Sequence, residues 1–221
     1  MVDFKILNID IPNGNNIMTI GPPLMGKSVF ARNLFKEKLN EGYSGIYVTT
    51  RDLPDDVIEW FEDDPQFKIL DCVSKTMSED LPDTQNIKRV SVMDLTGISS
   101  GLNSFLEDSW RGGNKKVVIV FDSLSTLLMY CNLQTIFRFL HILVARVKSA
   151  EAVALYIIEE GMHDQTTTAT LKQLFNGAVE LKEENEKRYL RFIGSSIRTD
   201  WKEFEIEDRT LRLMMGKMRM L

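Results

Sequence analysis

Short apolar runs bounded by turn residues alternate along this chain with segments whose apolar positions recur at helical spacing. The runs predict buried strands at Asn16–Ile20, Gly45–Thr50, Phe67–Val73, Lys116–Asp122 and Ala152–Ile158, with a shorter one at Arg89–Met93. Lys116–Asp122, with five apolar residues in succession, is the strongest of them; a strand covered on both faces has this texture. Between the strands, positions 30, 31, 34, 35 and 39 form one apolar helix stripe. Pro54–Asp64 reads as a helix with an acidic outer face, Leu102–Trp110 and Thr166–Phe175 as shorter helices, and Leu133–Lys148 as a long one. Asn13-Gly14-Asn15, Gly42 and Gly112-Gly113-Asn114 interrupt these segments, and residues 75–87 have loop composition.

The alternation of strand and helix predicts an α/β fold: a mostly parallel central sheet flanked by helices. Both ends differ. Phe4–Ile11 alternates apolar and polar residues up to Pro12 and reads as an edge or antiparallel strand. From Ala178 the texture turns to β. Ala178–Lys182, Arg188–Ile193 and Phe204–Leu213 read as antiparallel strands around Glu183–Glu186, a C-terminal hairpin extending the sheet. The expected organisation is one domain over 1–221. It has an N-terminal strand and turn (1–15), a core (16–177), the β extension (178–213) and a methionine-rich tail (214–221).

Residues 21–28 read Gly-Pro-Pro-Leu-Met-Gly-Lys-Ser, a complete G-x-x-x-x-G-K-S/T phosphate loop between a strand and a helix. Gly21 and Gly26 let the backbone curl so that successive N–H groups face phosphate oxygens, and the helix start adds its positive dipole end. The expected nucleotide contacts are Gly21, Pro22, Pro23, Leu24, Met25, Gly26, Lys27, Ser28 and Val29. Lys27 is expected on the β- and γ-phosphates, and the Ser28 hydroxyl on Mg²⁺. Asp122, ending the most apolar strand, is the second expected Mg²⁺ residue. As a bland alternative, Asp122-Ser123 starts the next helix as a cap.

Composition changes this picture little. Of 221 residues, 43 % are apolar and 27 % charged, which supports a sizeable core. A net charge of −5 argues against a general nucleic-acid coat. No run is long enough for a membrane span, Met1–Lys5 lacks signal-peptide texture, and a cytoplasmic setting is expected. Cys72 and Cys131 read as packed small hydrophobes in a reducing compartment, and His141 as a solvated surface residue. Asp94-Leu95-Thr96-Gly97 matches D-x-x-G, but no guanine-reading Asn-Lys-x-Asp follows, so Asp94 reads as a turn or cap residue.

Several segments in order resemble the RecA superfamily, in particular single-domain KaiC-like and RadA-like archaeal ATPases. They are Pro12–Asn16, Gly21-Pro22-Pro23, Gly45–Thr50, Val92–Leu95, Val120–Leu124 and Leu174–Leu181. The resemblance implies a RecA-type core, ATP and Mg²⁺ as ligands, and often a hexameric ring with ATP at subunit borders. Three departures bear on activity. Similar proteins place glutamates after the second core strand to polarise the attacking water; here Arg51 and Asp52 stand there. Asp52 is the expected catalytic base beside Lys27, shorter than glutamate and weakened by Arg51. In the hairpin, Ser196-Ile197-Arg198 keeps only the arginine of the family's Lys-x-Arg, making Arg198 the candidate that reaches a neighbour's ATP. Phe4–Ile11 replaces a glycine-rich segment, and Leu24-Met25 stand where small residues are usual and are expected to narrow the cradle.

Glu159–Gln165 reads as an exposed acidic loop, with Glu159 or Gln165 as the other option, a γ-phosphate sensor. The expected function is ATP binding with slow Mg²⁺-dependent hydrolysis. The alternative is a nucleotide-binding regulatory or scaffold protein with little turnover. A DNA-binding recombinase is weaker still. ATP or ADP, further copies of the chain or a protein partner are the expected partners.

Overall fold

In the computed structural model, residues 2–4, 7, 9–61, 67–77 and 81–214 are described. The architecture is a ten-stranded sheet with helices on both faces and a separate two-stranded ribbon at the N-terminus. The expected strand Phe4–Ile11 is instead part of that ribbon, in which β1 (Val2–Phe4) pairs antiparallel with β2 (Ile9–Ile11). The alternation is present, but a reversal lies between its halves. Leu7, Ile9 and Ile11 are buried, which anchors the ribbon to the core.

The core strands are β3 (Asn16–Gly21), β4 (Ser44–Thr49), β5 (Phe67–Asp71), β6 (Ile87–Arg89), β7 (Val117–Asp122) and β8 (Val153–Glu159). They lie side by side in the order β3-β8-β7-β4-β5-β6, every neighbouring pair parallel. Beyond β3 come β9 (Gly177–Glu184), β10 (Lys187–Gly194), β11 (Lys202–Glu207) and β12 (Thr210–Leu213). β9 is parallel to β3, and the next three pairings are antiparallel. The expected single strand Phe204–Leu213 is thus two strands, turning at Asp208 and Arg209, both with positive φ (47° and 63°).

The helices are α1 (Lys27–Asn40), α2 (Pro54–Phe61), α3 (Leu95–Arg111), α4 (Leu124–Tyr130), α5 (Leu133–Ser149) and α6 (Gln165–Lys172). Because side chains alternate across a strand, each core strand feeds two cores. Ile17, Tyr47, Val118 and Val120 pack with Phe30, Leu34 and Phe35 of α1. Met18, Ile46, Val48, Ile119 and Phe121 pack with the α3 and α5 residues Leu102, Phe105, Phe139 and Leu140. Double coverage is why these strands read as unbroken apolar runs.

Element edges also differ from expectation. α3 begins at Leu95, seven residues before the expected start, with the Asp94 carboxylate accepting from the Gly97 amide at 2.8 Å. Asp94 is therefore the cap residue that its sequence suggested. The expected strand Arg89–Met93 lies instead at Ile87–Arg89, and Met93 is exposed. Of Pro54–Asp64, Pro54–Phe61 is helix and the remainder lies outside the described residues, as does 215–221 of the tail. Cys72 is buried, and burial pushes its thiol pKa up. His141 is exposed and stacks on Phe137.

Candidate functional site

Parallel strands in one sheet place all their C-terminal ends along one edge, where α/β folds bind ligands. Here that edge gathers Gly21 of β3, Thr49 of β4, Asp122 of β7 and Glu159 of β8. The loop 21–28 joins β3 to α1 across it. Gly26 has φ +90°, which L side chains rarely adopt, and a Cβ there would lie 2.3 Å from Ile206 Cδ1. A Cβ on Gly21 would lie 2.7 Å from the Leu181 carbonyl oxygen. Gly26 caps α1 with no side-chain hydrogen bond, so no side chain competes for the first amides of the helix. Of the two bulky loop residues, Leu24 is 94 % exposed and Met25 is buried in the core.

Lys27 is buried. Its Nζ donates to the Pro22 carbonyl and lies 2.7 Å from Glu159 Oε2. Glu159 is correspondingly almost covered, and Oε2 has no aligned hydrogen-bond donor. The exposed acidic loop expected over Glu159–Gln165 therefore needs correction at its first residue. Glu159 ends a buried strand, its amide fixed by Ser125 Oγ at 2.9 Å, and faces the loop lysine. Glu160 and Gln165 are exposed, and Asp164 caps α6.

Asp122 is 1 % exposed and is held from three directions. Its carbonyl accepts from the Thr50 amide at 2.9 Å and the Thr50 hydroxyl at 3.2 Å, which fastens the ends of β4 and β7 together. Its Oδ2 accepts from the Tyr47 hydroxyl at 2.8 Å, and that hydroxyl accepts from Arg32 Nε at 3.0 Å. Burial, then the Asp122 carboxylate, pushes the Tyr47 phenol well above its ordinary pKa, so it stays a donor. Burial alone would lower the Arg32 pKa; Tyr47, Asp122 and Asp52 outweigh it and hold the guanidinium above its ordinary value. Arg32 also lies over the Tyr47 and Trp60 rings.

Asp122 Oδ1 has no hydrogen-bond partner although it is buried. A buried orphan carboxylate oxygen and the Ser28 hydroxyl, both within reach of one Arg51 nitrogen, are hard-oxygen chemistry that suits Mg²⁺, which takes few protein ligands and fills its shell with phosphate and water. The residues fit that ion. Among the described residues no cluster of three or more His, Cys, Asp or Glu side chains is arranged for a metal.

Asp52 has its carboxylate against the Arg32 guanidinium and 3.6 Å from Arg51 Nε. Arg51 Nη2 donates to Ser28 Oγ at 2.9 Å and lies 3.5 Å from Asp122 Oδ1. Arg198 is elsewhere. It is exposed on the loop between β10 and β11, and its side chain makes no hydrogen bond or ion pair among the described residues.

Sequence reasoning missed Tyr47 and Arg32. Arg32 stands four residues after Ser28 on one helix, a spacing that puts both on the same face and was available as a signal. Tyr47 had none: inside an apolar strand its hydroxyl is indistinguishable from core packing.

No curated protein matches this chain. A KaiC-like protein from the hyperthermophilic archaeon Pyrococcus horikoshii OT3 superposes with a TM-score of 0.67 over 95 % of this chain and 94 % of its own, at 15 % identity. That likeness shows a RecA-like fold and no more, and the activity is argued from the site. Among the described residues no helix is long and apolar enough to cross a membrane. The phosphate loop, Arg51, Asp122 and Glu159 all fall within residues 14–181, the stretch matched by the model of the family of unknown function DUF7504, and the chain belongs to that family.

Proposed function

We propose that this protein binds ATP or ADP at residues 21–29 and uses the nucleotide mainly to govern its contacts, with little turnover. The phosphate chain would lie on the amides of the loop and of the first turn of α1, and would take Lys27 from Glu159. Ser28 and Asp122 have the oxygen chemistry for Mg²⁺, but they would hold it only where the Arg51 guanidinium, which reaches both, moved away. Tyr47 and Arg32 keep the Asp122 carboxylate oriented, and Thr50 keeps its backbone in place.

The observation that carries the low-turnover reading is the state of Asp52. A general base must have an oxygen free to accept a proton from water within hydrogen-bond reach. Asp52 Oδ2 is taken by Arg32, and Oδ1 lies 3.6 Å from Arg51 Nε, so a water at Oδ1 would share it with a guanidinium group. A second reading, slow hydrolysis with Asp52 as base, keeps its support from the position of Asp52 directly after β4. Under either reading, Arg198, exposed on its loop, is the residue to approach a nucleotide on a neighbouring copy in a ring.

Steady-state phosphate release separates the two. The proposal expects tight ATP binding, release near the protein-free background, and no change in Asp52→Ala. Release well above background that Asp52→Ala abolishes would establish the enzyme reading instead. Size-exclusion chromatography with and without ATP tests the ring.

A further inference from the structure

The position of Arg51 has a chemical meaning of its own. One nitrogen of its guanidinium, Nη2, reaches both donors that suit Mg²⁺: Ser28 Oγ at 2.9 Å and Asp122 Oδ1 at 3.5 Å. The orphan oxygen of Asp122 therefore faces a permanent organic cation at the place where an inorganic one would be held. Arg51 comes from the loop between β4 and α2, and Asp52 sits beside its Nε at 3.6 Å. Its side chain is 47 % exposed, so part of the group remains open to solvent and to a ligand.

A guanidinium carries five N–H donors in a fixed plane and stays charged at any working pH. With one nitrogen on Ser28 and Asp122, further donors remain for phosphate oxygens, to which arginine binds well. The local charge balance agrees. Lys27, Arg32 and Arg51 face Asp52, Asp122 and Glu159, three cations against three carboxylates. An incoming polyphosphate would compete with Glu159 and the Pro22 carbonyl for Lys27, and would meet two cations, Lys27 and Arg51.

We propose that Arg51 is the resident counter-cation of this site: it takes the place of Mg²⁺ between Ser28 and Asp122, so that nucleotide binding needs no divalent ion. This inference rests on the nucleotide-binding reading and specifies how that site neutralises its ligand. It also separates the roles of the two residues after β4. Asp52 is turned aside by Arg32, while Arg51 is turned into the site.

Calorimetric titration of ADP tests this on the full chain, in buffer with EDTA and in buffer with Mg²⁺. Wild type is expected to bind with the same affinity, within about threefold, in both. Arg51→Ala and Arg51→Gln are expected to bind at least tenfold more weakly in EDTA and to recover with Mg²⁺, as the vacated donors accept the ion. A wild type that loses tenfold or more on chelation overturns the proposal while leaving the nucleotide reading intact. So do Arg51 variants that bind equally in both buffers. Absence of binding by wild type in either buffer overturns both. Thermal melting of the variants guards against misfolding, and Arg51→Gln, which keeps the stem of the side chain, remains a valid test if Arg51→Ala melts early.

Discussion

Two parts of this sheet use the same charged residue types in opposite ways. At the edge formed by β3, β8, β7 and β4, charges are covered and shared: Arg32 serves Tyr47 and Asp52, and Arg51 serves Ser28 and Asp122. Asp122 Oδ1 there accepts no hydrogen bond, and Glu159 Oε2 has only the ammonium of Lys27, 2.7 Å away and not aligned for one. On the C-terminal strands the pairs are local and satisfied. Arg191 and Lys172 both donate to Glu180, Lys187 pairs with Glu203, and Arg212 with Glu207. Burying charges with acceptors left over costs stability, and a protein tolerates it where a ligand completes the set. Surface pairs carry no such cost and contribute little. The contrast marks one edge as a site and the other surface as scaffold.

The strongest way to break that contrast is Lys27→Ala. Loss of the ammonium group is expected to weaken ATP binding about 100-fold, or about 2.7 kcal/mol, in a calorimetric titration. An unchanged affinity would make the loop an ordinary glycine turn. Next is Tyr47→Phe, which removes a buried hydroxyl and strands both Asp122 Oδ2 and Arg32 Nε. Chemical denaturation should show a loss of about 2 kcal/mol. Gly26→Ala forces a side chain into left-handed backbone and against Ile206, a flexible neighbour that can give way. The expected loss is about 1 kcal/mol.

The scaffold side should respond less. Glu180→Gln is expected to cost no more than about 1 kcal/mol, despite its two basic partners. Its sign with pH is fixed. Burial alone would raise the Glu180 pKa, but Arg191 and Lys172 outweigh it and hold the group below the ordinary value of 4.5. Its stabilisation is therefore complete above 4.5 and is lost as pH falls through the lower folded value. Melting curves of wild type and Glu180→Gln should converge at acid pH.

How far this was readable in the sequence depends on whether the determinants are contiguous. The phosphate loop is one uninterrupted segment whose glycines and lysine carry their own geometry, and Asp122 closes an unmistakable apolar run. The partners of Asp122 come from two separate segments, Tyr47, Thr50 and Arg51 from around β4 and Arg32 from α1, and only the folded sheet brings them together. The start of α3 was hidden because Gly97, Ser99, Ser100 and Gly101 are poor helix formers. Tertiary packing overrides them: Ile98 and Leu102 are buried, and a Cβ on Gly101 would lie 2.6 Å from Leu70. The turn that splits Phe204–Leu213 was hidden for the opposite reason. Asp208 and Arg209 take left-handed backbone without the glycine or asparagine that usually announces it.

The most direct measurement is a crystal structure of the full chain with a non-hydrolysable ATP analogue. The account expects the phosphates on the amides of residues 21–28, Lys27 moved from Glu159 onto them, and Arg51 still between Ser28 and Asp122. An analogue bound away from this loop, or a loop lysine still paired with Glu159 beside a bound nucleotide, would contradict it.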